Sequence, residues 1–134
     1  MRLKDLQPFL EPNFKKSEPG GEAKRSAAMW AIGLMRENEA VPELTKSFLE
    51  RLADRTGMMP EQYSIRRMSA VALGILRSKS AASGLVEAYQ LDSTEGGLPD
   101  SARWSLGMIG EPMPEPAKGF SSLISGWKLN PIDD

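Results

Sequence analysis

The sequence predicts an all-α fold, a solenoid of about three helix–turn–helix units, and three observations favour it. A similar apolar phrase occurs around Gly33, Gly74 and Gly107, at intervals of 41 and 33 residues, and such intervals are typical of helical repeats. Within each phrase the apolar residues follow the 3.6-residue period of an α-helix. The first two phrases are each followed by a second amphipathic segment, in the same register both times.

The three phrases agree position by position when they are aligned on their glycines. The residue just before each glycine is large and apolar, the residue two before it is small, and the residue two after it is apolar. In this order the positions hold Ile32, Leu73 and Leu106; Ala31, Ala72 and Ser105; and Met35, Leu76 and Ile109. Glycine within a helix costs about 1 kcal/mol relative to alanine, so its presence at the same position three times indicates close packing of neighbouring helices.

Each phrase is predicted to form the first helix of its unit. In the second copy, one stripe of that helix carries residues spaced i, i+4, i+7, i+8 and i+11, which are Ile65, Ser69, Ala72, Leu73 and Leu76. This spacing places them on a single face, which we expect to be the core face. The small residues of the stripe would allow a neighbouring helix to approach closely.

A second helix is predicted to follow each of the first two phrases. Its apolar stripe in the first unit is Val41, Leu44, Phe48 and Leu52, and the corresponding residues of the second unit are Ala82, Leu85 and Tyr89. Leu44 and Leu85 both lie eleven residues after their glycine, and Phe48 and Tyr89 both lie fifteen after it. Pro42 fits the first turn of such a helix, where its missing N–H has no intrahelical partner to lose.

The two ends of the chain depart from the full unit. Leu3, Leu6 and Leu10 have the spacing of a second helix without a first one, and residues 13–22 are predicted to be a loop. At the other end Gly110 is predicted to end the first helix of the third unit. A stiff proline-rich linker and a closing helix would follow it, the helix carrying Phe120, Leu123, Ile124 and Trp127.

These predictions make residues 1–134 a single repeat domain. Its parts are an N-terminal half-unit and loop at 1–21, unit 1 at 22–55, unit 2 at 60–92 and a degraded C-terminal capping unit at 98–128. The spacing from Gly33 to Gly74 is eight residues longer than the spacing from Gly74 to Gly107. The eight extra residues are expected around residues 55–62, where they would extend the second helix of unit 1 and its loop.

The composition excludes several kinds of chemistry. The chain has no cysteine and no histidine, so it lacks a thiolate nucleophile, a zinc–sulfur site and the commonest general base. We therefore expect no catalytic residue, no metal site and no cofactor. The formal net charge is −1, and this balance does not favour a nucleic-acid partner, whose phosphates require many basic side chains.

The chain shows no membrane or export signal. Its start has no apolar core of a signal peptide, and the longest uncharged apolar runs, 26–35 and 68–76, are about half the length that spans a bilayer. We expect a cytoplasmic protein with no membrane contact.

The phrase resembles the HEAT-like repeat first described in phycobilisome lyases, whose pattern is V-R-x-x-A-A-x-A-L-G-x-I-G followed by A-V-P-x-L. The first unit carries the pattern in Arg25, Ala28, Ala31, Ile32, Gly33, Ala40, Val41, Pro42 and Leu44. The second unit carries it in Ile65, Arg66, Ala70, Ala72, Leu73 and Gly74. The third copy has Pro99 in place of the arginine, and the second has Ala82-Ser-Gly-Leu in place of V-P-x-L.

The resemblance covers about residues 22–109 and implies a HEAT-like α–α superhelix. Because members of the family mostly supply binding surfaces for diverse partners, it also implies a non-catalytic protein–protein interaction or scaffold module. Two alternatives stay open. The chain would otherwise be the C-terminal structural segment of a longer HEAT-repeat protein, or, less favoured, it would have an accessory lyase-like or chaperone role on a cofactor-bearing protein.

The resemblance further implies that the second helices line the concave side of the solenoid. We hypothesise that a protein or peptide partner contacts the polar residues there, which are Glu43, Lys46, Ser47, Glu50, Arg51, Glu87 and Gln90. Their mixed charges favour a protein over a nucleic acid.

A second apolar stripe lies on the first helices, at the positions three before and one after each glycine. It consists of Trp30, Leu34, Val71, Ile75, Trp104 and Met108. Two interpretations stay open. The stripe is covered by neighbouring first helices or by the loop that carries Met58 and Met59, or it is a docking strip for a partner or a second copy of the chain. We favour the first, which predicts a monomer.

Overall fold

The computed structural model describes residues 3–12, 18–35, 41–56 and 59–112. All regular secondary structure in these residues is helical, as the sequence predicts. The helices are α1 (Leu3–Leu6), a 3-10 turn (Gln7–Leu10), α2 (Gly21–Met35), α3 (Val41–Ala53), α4 (Tyr63–Leu76), a 3-10 turn (Lys79–Ala81), α5 (Ala82–Leu91) and α6 (Leu98–Ile109).

The helices stack in two layers. The first helices α2, α4 and α6 form one row, in which α4 packs against both of the others. The second helices α3 and α5 form the other row, where α3 packs on α4 and α5 packs on α6. Each second helix therefore lies against the first helix of the next unit, which ties consecutive units together. The predicted helical-repeat fold is confirmed.

The core lies between the two layers. Ile32, Leu73 and Leu106, the residues just before the three glycines, are completely buried, and Leu44 and Phe48 of α3 belong to the same hydrophobic cluster. The stripe predicted for the second copy is also confirmed, because its first four residues have no exposed surface and Leu76 is half-buried.

Two of the three repeated glycines lie at junctions between first helices. A Cβ atom at Gly33 would lie 3.5 Å from the Cα of Ala72, and one at Gly74 would lie 2.8 Å from the Cα of Ser105. The Ser105 hydroxyl also donates a hydrogen bond to the carbonyl of Ala70. Ala72 and Ser105, which lie two residues before Gly74 and Gly107, thus each pack against the glycine of the preceding unit. This close contact explains why both positions hold small residues.

The N-terminal half-unit packs on α2 with Leu6 and Leu10 buried, but it is a four-residue α-helix followed by a 3-10 turn and not the single second helix that the leucine spacing predicts. The predicted loop 13–22 is too long at its C-terminal end, because α2 begins at Gly21. Gly20 adopts a positive φ of 74° there, and the Gly21 N–H donates to the carbonyl of Glu18, so the chain turns into the helix earlier than we expected.

The C-terminal end of α6 agrees with the prediction. Gly110 adopts a φ of 90°, and its N–H donates to the carbonyls of Leu106 and Gly107 to terminate the helix. The predicted closing helix lies outside the described residues. The extra residues of the first unit lie where they were expected, since α3 has 13 residues against 10 in α5, and α4 begins only at Tyr63.

Candidate interaction surfaces

The predicted polar surface on the second helices is largely exposed. Glu43, Lys46 and Glu50 lie on the outer side of α3, and Glu87 is exposed on α5. Ser47 and Gln90 are half-buried. The apolar side of α3 faces the core, so these polar residues remain on the surface of the second layer.

A groove of about 430 Å³ runs along this surface from α3 to the 3-10 turn before α5, in the second unit. Its lining includes Pro42, Lys46, Leu49, Glu50, Ala53 and Ser80. Leu49 is half-buried, and a Cβ atom at Gly84 would collide with it. The glycine therefore makes room for the leucine at the floor of the groove, while Lys46 and Glu50 supply one charge of each sign at its edge.

Arg51 does not belong to this surface, which corrects the prediction. Its side chain is 9% exposed and forms ion pairs with Glu61 at 2.8 Å and with Asp54 at 3.4 Å. Arg51 lies seven residues after the buried Leu44, and this spacing places it beside the core stripe. Its partner Glu61 comes from the connection before α4 and neutralises the charge in the interior.

Glu61 is the centre of a buried ion network. Its carboxylate also pairs with Arg25, with distances of 2.7 and 2.8 Å to the two terminal nitrogens of the guanidinium. Burial by itself would raise the pKa of Glu61, but hydrogen bonds from Arg25, Arg51 and the backbone N–H of Gln62 outweigh it and hold the pKa below its usual value. The carboxylate is therefore charged and fixed at neutral pH.

A second network anchors the next unit. Asp92 accepts hydrogen bonds from Arg66 at 2.6 Å and from Arg55 at 3.0 Å, and Arg55 also pairs with Glu87 at 2.9 Å. Glu87, one of the predicted surface residues, is therefore held by a cross-unit contact. Sequence analysis did not identify either network, although the repeated arginine eight residues before Gly33 and Gly74 was a signal for them.

The outer apolar stripe on the first helices is exposed only in part. Trp30 is 50% exposed, and Leu34 and Trp104 are each 47% exposed. Val71 and Met108 are half-buried, and Ile75 is buried.

The interruption at Ile75 has a specific cause. A Cβ atom at Gly33 of α2 would lie 3.7 Å from the Cβ of Ile75, so the close junction between α2 and α4 covers this side chain. Met59 of the extra loop does not cover the stripe, because its own side chain is 60% exposed. Met58 lies outside the described residues. The most exposed parts of the stripe are therefore Trp30 with Leu34 on α2 and Trp104 on α6, and the half-buried Val71 and Met108 each line a concavity together with Trp104.

Neither a metal-binding group nor a membrane span stands out in the part of the chain that the structure describes. Its acidic residues form no cluster of three or more that would hold a metal ion. None of its helices combines the length and the apolar character needed to cross a bilayer.

Comparison with known proteins gives one match. Residues 24–50 match the family model of the PBS lyase HEAT-like repeat, which confirms the resemblance. The matched segment covers most of α2 and the greater part of α3. No curated protein and no solved structure matches the chain.

Proposed function

We propose that this chain, a helical repeat module with a PBS lyase HEAT-like repeat at residues 24–50, is a non-catalytic protein–protein interaction module. Its partner would bind the face formed by α3 and α5. The observation that carries the proposal is the groove along α3, because it combines an apolar floor with charged edges on a surface that extends over two units.

The two ion networks support this proposal because they fix the C-terminal end of α3, the helix that supplies most of the groove. Arg51 on the inner side of α3 is fixed through Glu61, and Arg55 beyond its end is fixed through Asp92 and Glu87. A binding surface that is ordered before its partner arrives loses less entropy on association.

The groove favours a peptide segment that carries both an apolar anchor and charges of either sign. Leu49 and Pro42 offer apolar contact, while Lys46 and Glu50 lie four residues apart on the same side of α3. A nucleic acid would instead require a basic surface and would show a steep dependence on salt.

The proposal is tested by affinity capture with a charge-swapped groove. The variant Lys46→Glu/Glu50→Lys keeps the net charge and the i,i+4 spacing of opposite charges but reverses the charge pattern that a partner would contact. The matched control is Glu18→Lys/Lys24→Glu, which swaps an exposed ion pair on and beside α2.

A partner that uses the groove is captured by the wild type and the control and is lost with the groove variant. Partners captured equally by all three proteins would contradict the proposed face. Tight, salt-sensitive retention of nucleic acid would contradict the proposed partner class.

A further inference from the structure

The turn that ends α4 holds an arginine where the same turn after α6 holds a glycine. Arg77 lies three residues after Gly74, and Gly110 lies three residues after Gly107. The backbone N–H of each donates to the carbonyl of its repeated glycine, at 3.0 Å in the first turn and 3.2 Å in the second. The two turns therefore close in the same way, and the second one shows that a glycine satisfies this geometry.

The backbone of Arg77 is strained. Its φ is 55°, and it is the one residue other than glycine with a positive φ in the part of the chain that the structure describes. In this left-handed region a Cβ atom lies close to the following carbonyl, whereas glycine has no Cβ and adopts the region freely. Because Arg77 is exposed, burial in the core does not offset the strain. What the position gains over glycine is the positive charge.

Two lysines lie beside this turn, at one end of the groove along α3. The Ser78 hydroxyl bonds to the hydroxyl of Thr45 at 2.7 Å and fixes the turn against α3. Lys79, directly after Ser78, is exposed, and Lys46, directly after Thr45, is exposed and lines the groove. We call Arg77, Lys79 and Lys46 the basic corner.

The basic corner makes one end of the groove positive. Glu43, in the first turn of α3, is exposed near the same end and offsets one of the three positive charges. Glu50 and Glu87 lie in the second halves of α3 and α5, and Glu87 pairs there with Arg55 at 2.9 Å. The corner therefore keeps a positive charge, although the whole chain has a net charge of −1.

We propose that the basic corner binds an acidic stretch of the partner that occupies the groove. This inference rests on the proposed function, because the groove supplies the apolar contact next to the corner through Leu49. Complementary charges at the rim of an interface fix its register and speed association more than they raise affinity. The partner segment therefore binds in one direction, with its carboxylates at the corner and its apolar side chains over Leu49. A nucleic acid would require a more extended basic surface.

The first test is the stability of Arg77→Gly, which removes the charge and the strain together. We expect the unfolding midpoint in urea to rise, because glycine adopts a positive φ without strain. Arg77→Lys keeps both the charge and the strain, and it should retain the midpoint of the wild type. A lower midpoint for Arg77→Gly would show that the arginine is needed for folding and would overturn the proposal.

The second test measures binding with two labelled synthetic peptides of equal length, in which either glutamates or lysines flank a pair of leucines. Fluorescence anisotropy at low salt gives the affinities. We expect only the glutamate peptide to bind, and Arg77→Gly to weaken it about two- to fivefold, as the loss of one exposed ion pair does. Arg77→Lys should bind as the wild type does, as should Arg103→Gln, which removes an exposed charge from α6.

Three results would overturn the basic corner: equal binding of the two peptides, no binding of the glutamate peptide, or an unchanged affinity in Arg77→Gly. The capture experiment on the groove distinguishes such a failure from failure of the proposed function. A partner that is lost with Lys46→Glu/Glu50→Lys but captured fully by Arg77→Gly keeps the groove and refutes the corner. Partners captured equally by the wild type and the groove variant refute both. Nucleic acid that Arg77→Gly no longer retains would refute the acidic peptide as the ligand.

Discussion

At the residue scale, the arginine eight positions before the glycine has the same role in two units. Arg25 donates to the carbonyls of Phe9 and Glu11, and Arg66 donates to the carbonyl of Leu52, so each guanidinium satisfies the end of the preceding second element. Such carbonyls otherwise lack partners, and a charged donor binds them strongly. Pro99 occupies this position in the third unit, where no guanidinium is available.

We expect Glu61→Gln to destabilise the protein strongly at pH 7. The carboxylate is only 1% exposed and pairs with Arg25 and Arg51, so its removal leaves the buried Arg25 without a counter-charge and Arg51 with the more distant Asp54 alone. Breaking such a buried pair costs about 3–5 kcal/mol in the free energy of unfolding. Urea unfolding measures the difference, with the exposed Glu50→Gln as a control that stays within about 0.5 kcal/mol. Similar midpoint shifts in both variants would contradict the role of the network.

The same carboxylate makes stability sensitive to acid. The pKa of Glu61 is lower in the folded protein than in the unfolded chain, where a glutamate titrates near about 4.3. Its contribution is therefore complete above that pH and is lost as the pH falls through the folded pKa. We expect the stability gap between the wild type and Glu61→Gln to be constant from pH 7 to 5 and to narrow below about pH 4.3. A gap that narrows above pH 5 would be inconsistent with this sign.

The residues just before the glycines are expected to carry much of the core energy. Ile32→Ala and Leu73→Ala remove completely buried side chains, and each change costs about 2–5 kcal/mol. Glu43→Ala and Glu50→Ala alter exposed positions and change stability by less than about 0.5 kcal/mol. Urea midpoints that shift alike in the two groups would show that the faces are wrongly assigned.

At the scale of the helices, periodicity predicts which residues face the core, but it does not predict the partners of buried charges. The stripe from Ile65 to Leu73 is buried as its spacing indicates. Arg51 follows the core spacing of Leu44, yet its charge favoured the surface in the prediction. Its partner Glu61 lies ten residues later in a connection, and no helical period relates two such positions.

Exposure of the outer stripe was equally difficult to predict. Ile75 and Leu34 occupy the same position in their units, but Ile75 is buried and Leu34 is exposed. The difference arises because α4 has a first helix on each side, while α2 has one on a single side and the short N-terminal half-unit on the other. Position within the stack decides burial here, and a single repeat does not contain that information.

We expect the two junction glycines to respond differently to alanine. At Gly74 the new Cβ would lie 2.8 Å from the backbone of Ser105, so α4 and α6 must separate, at a cost of about 1–3 kcal/mol. At Gly33 the nearest atom is 3.5 Å away, which is an ordinary contact, so Gly33→Ala gains up to about 1 kcal/mol of helix propensity. Thermal unfolding of the two variants gives the comparison, and a higher melting temperature for Gly74→Ala would contradict the close junction.

At the scale of the whole molecule, the two layers have different surfaces. The groove lies on α3 and reaches Ser80 of the second unit, and the ion networks of Glu61 and Asp92 tie the two units together. The outer surface of the first helices carries its most exposed apolar side chains on α2 and α6, while on α4 Ile75 is buried and Val71 is half-buried.

The partial exposure of the outer apolar side chains leads to our last prediction, that the protein is a monomer at micromolar concentration. Trp30 and Leu34 are each only about half exposed, and monomers commonly carry a single apolar patch of a few hundred Å². Because Trp30 lies on the surface of α2, Trp30→Glu should keep the helix content and the mass of the wild type, measured by circular dichroism and light scattering. A wild-type dimer that Trp30→Glu converts into a folded monomer would instead make this patch an interface. Loss of helix content in Trp30→Glu would show that the indole is part of the core, contrary to its exposure in the structure. The comparison therefore distinguishes three roles for Trp30, as a surface residue, an interface residue or a core residue. Its half-exposed side chain favours the first role, on a monomeric solenoid.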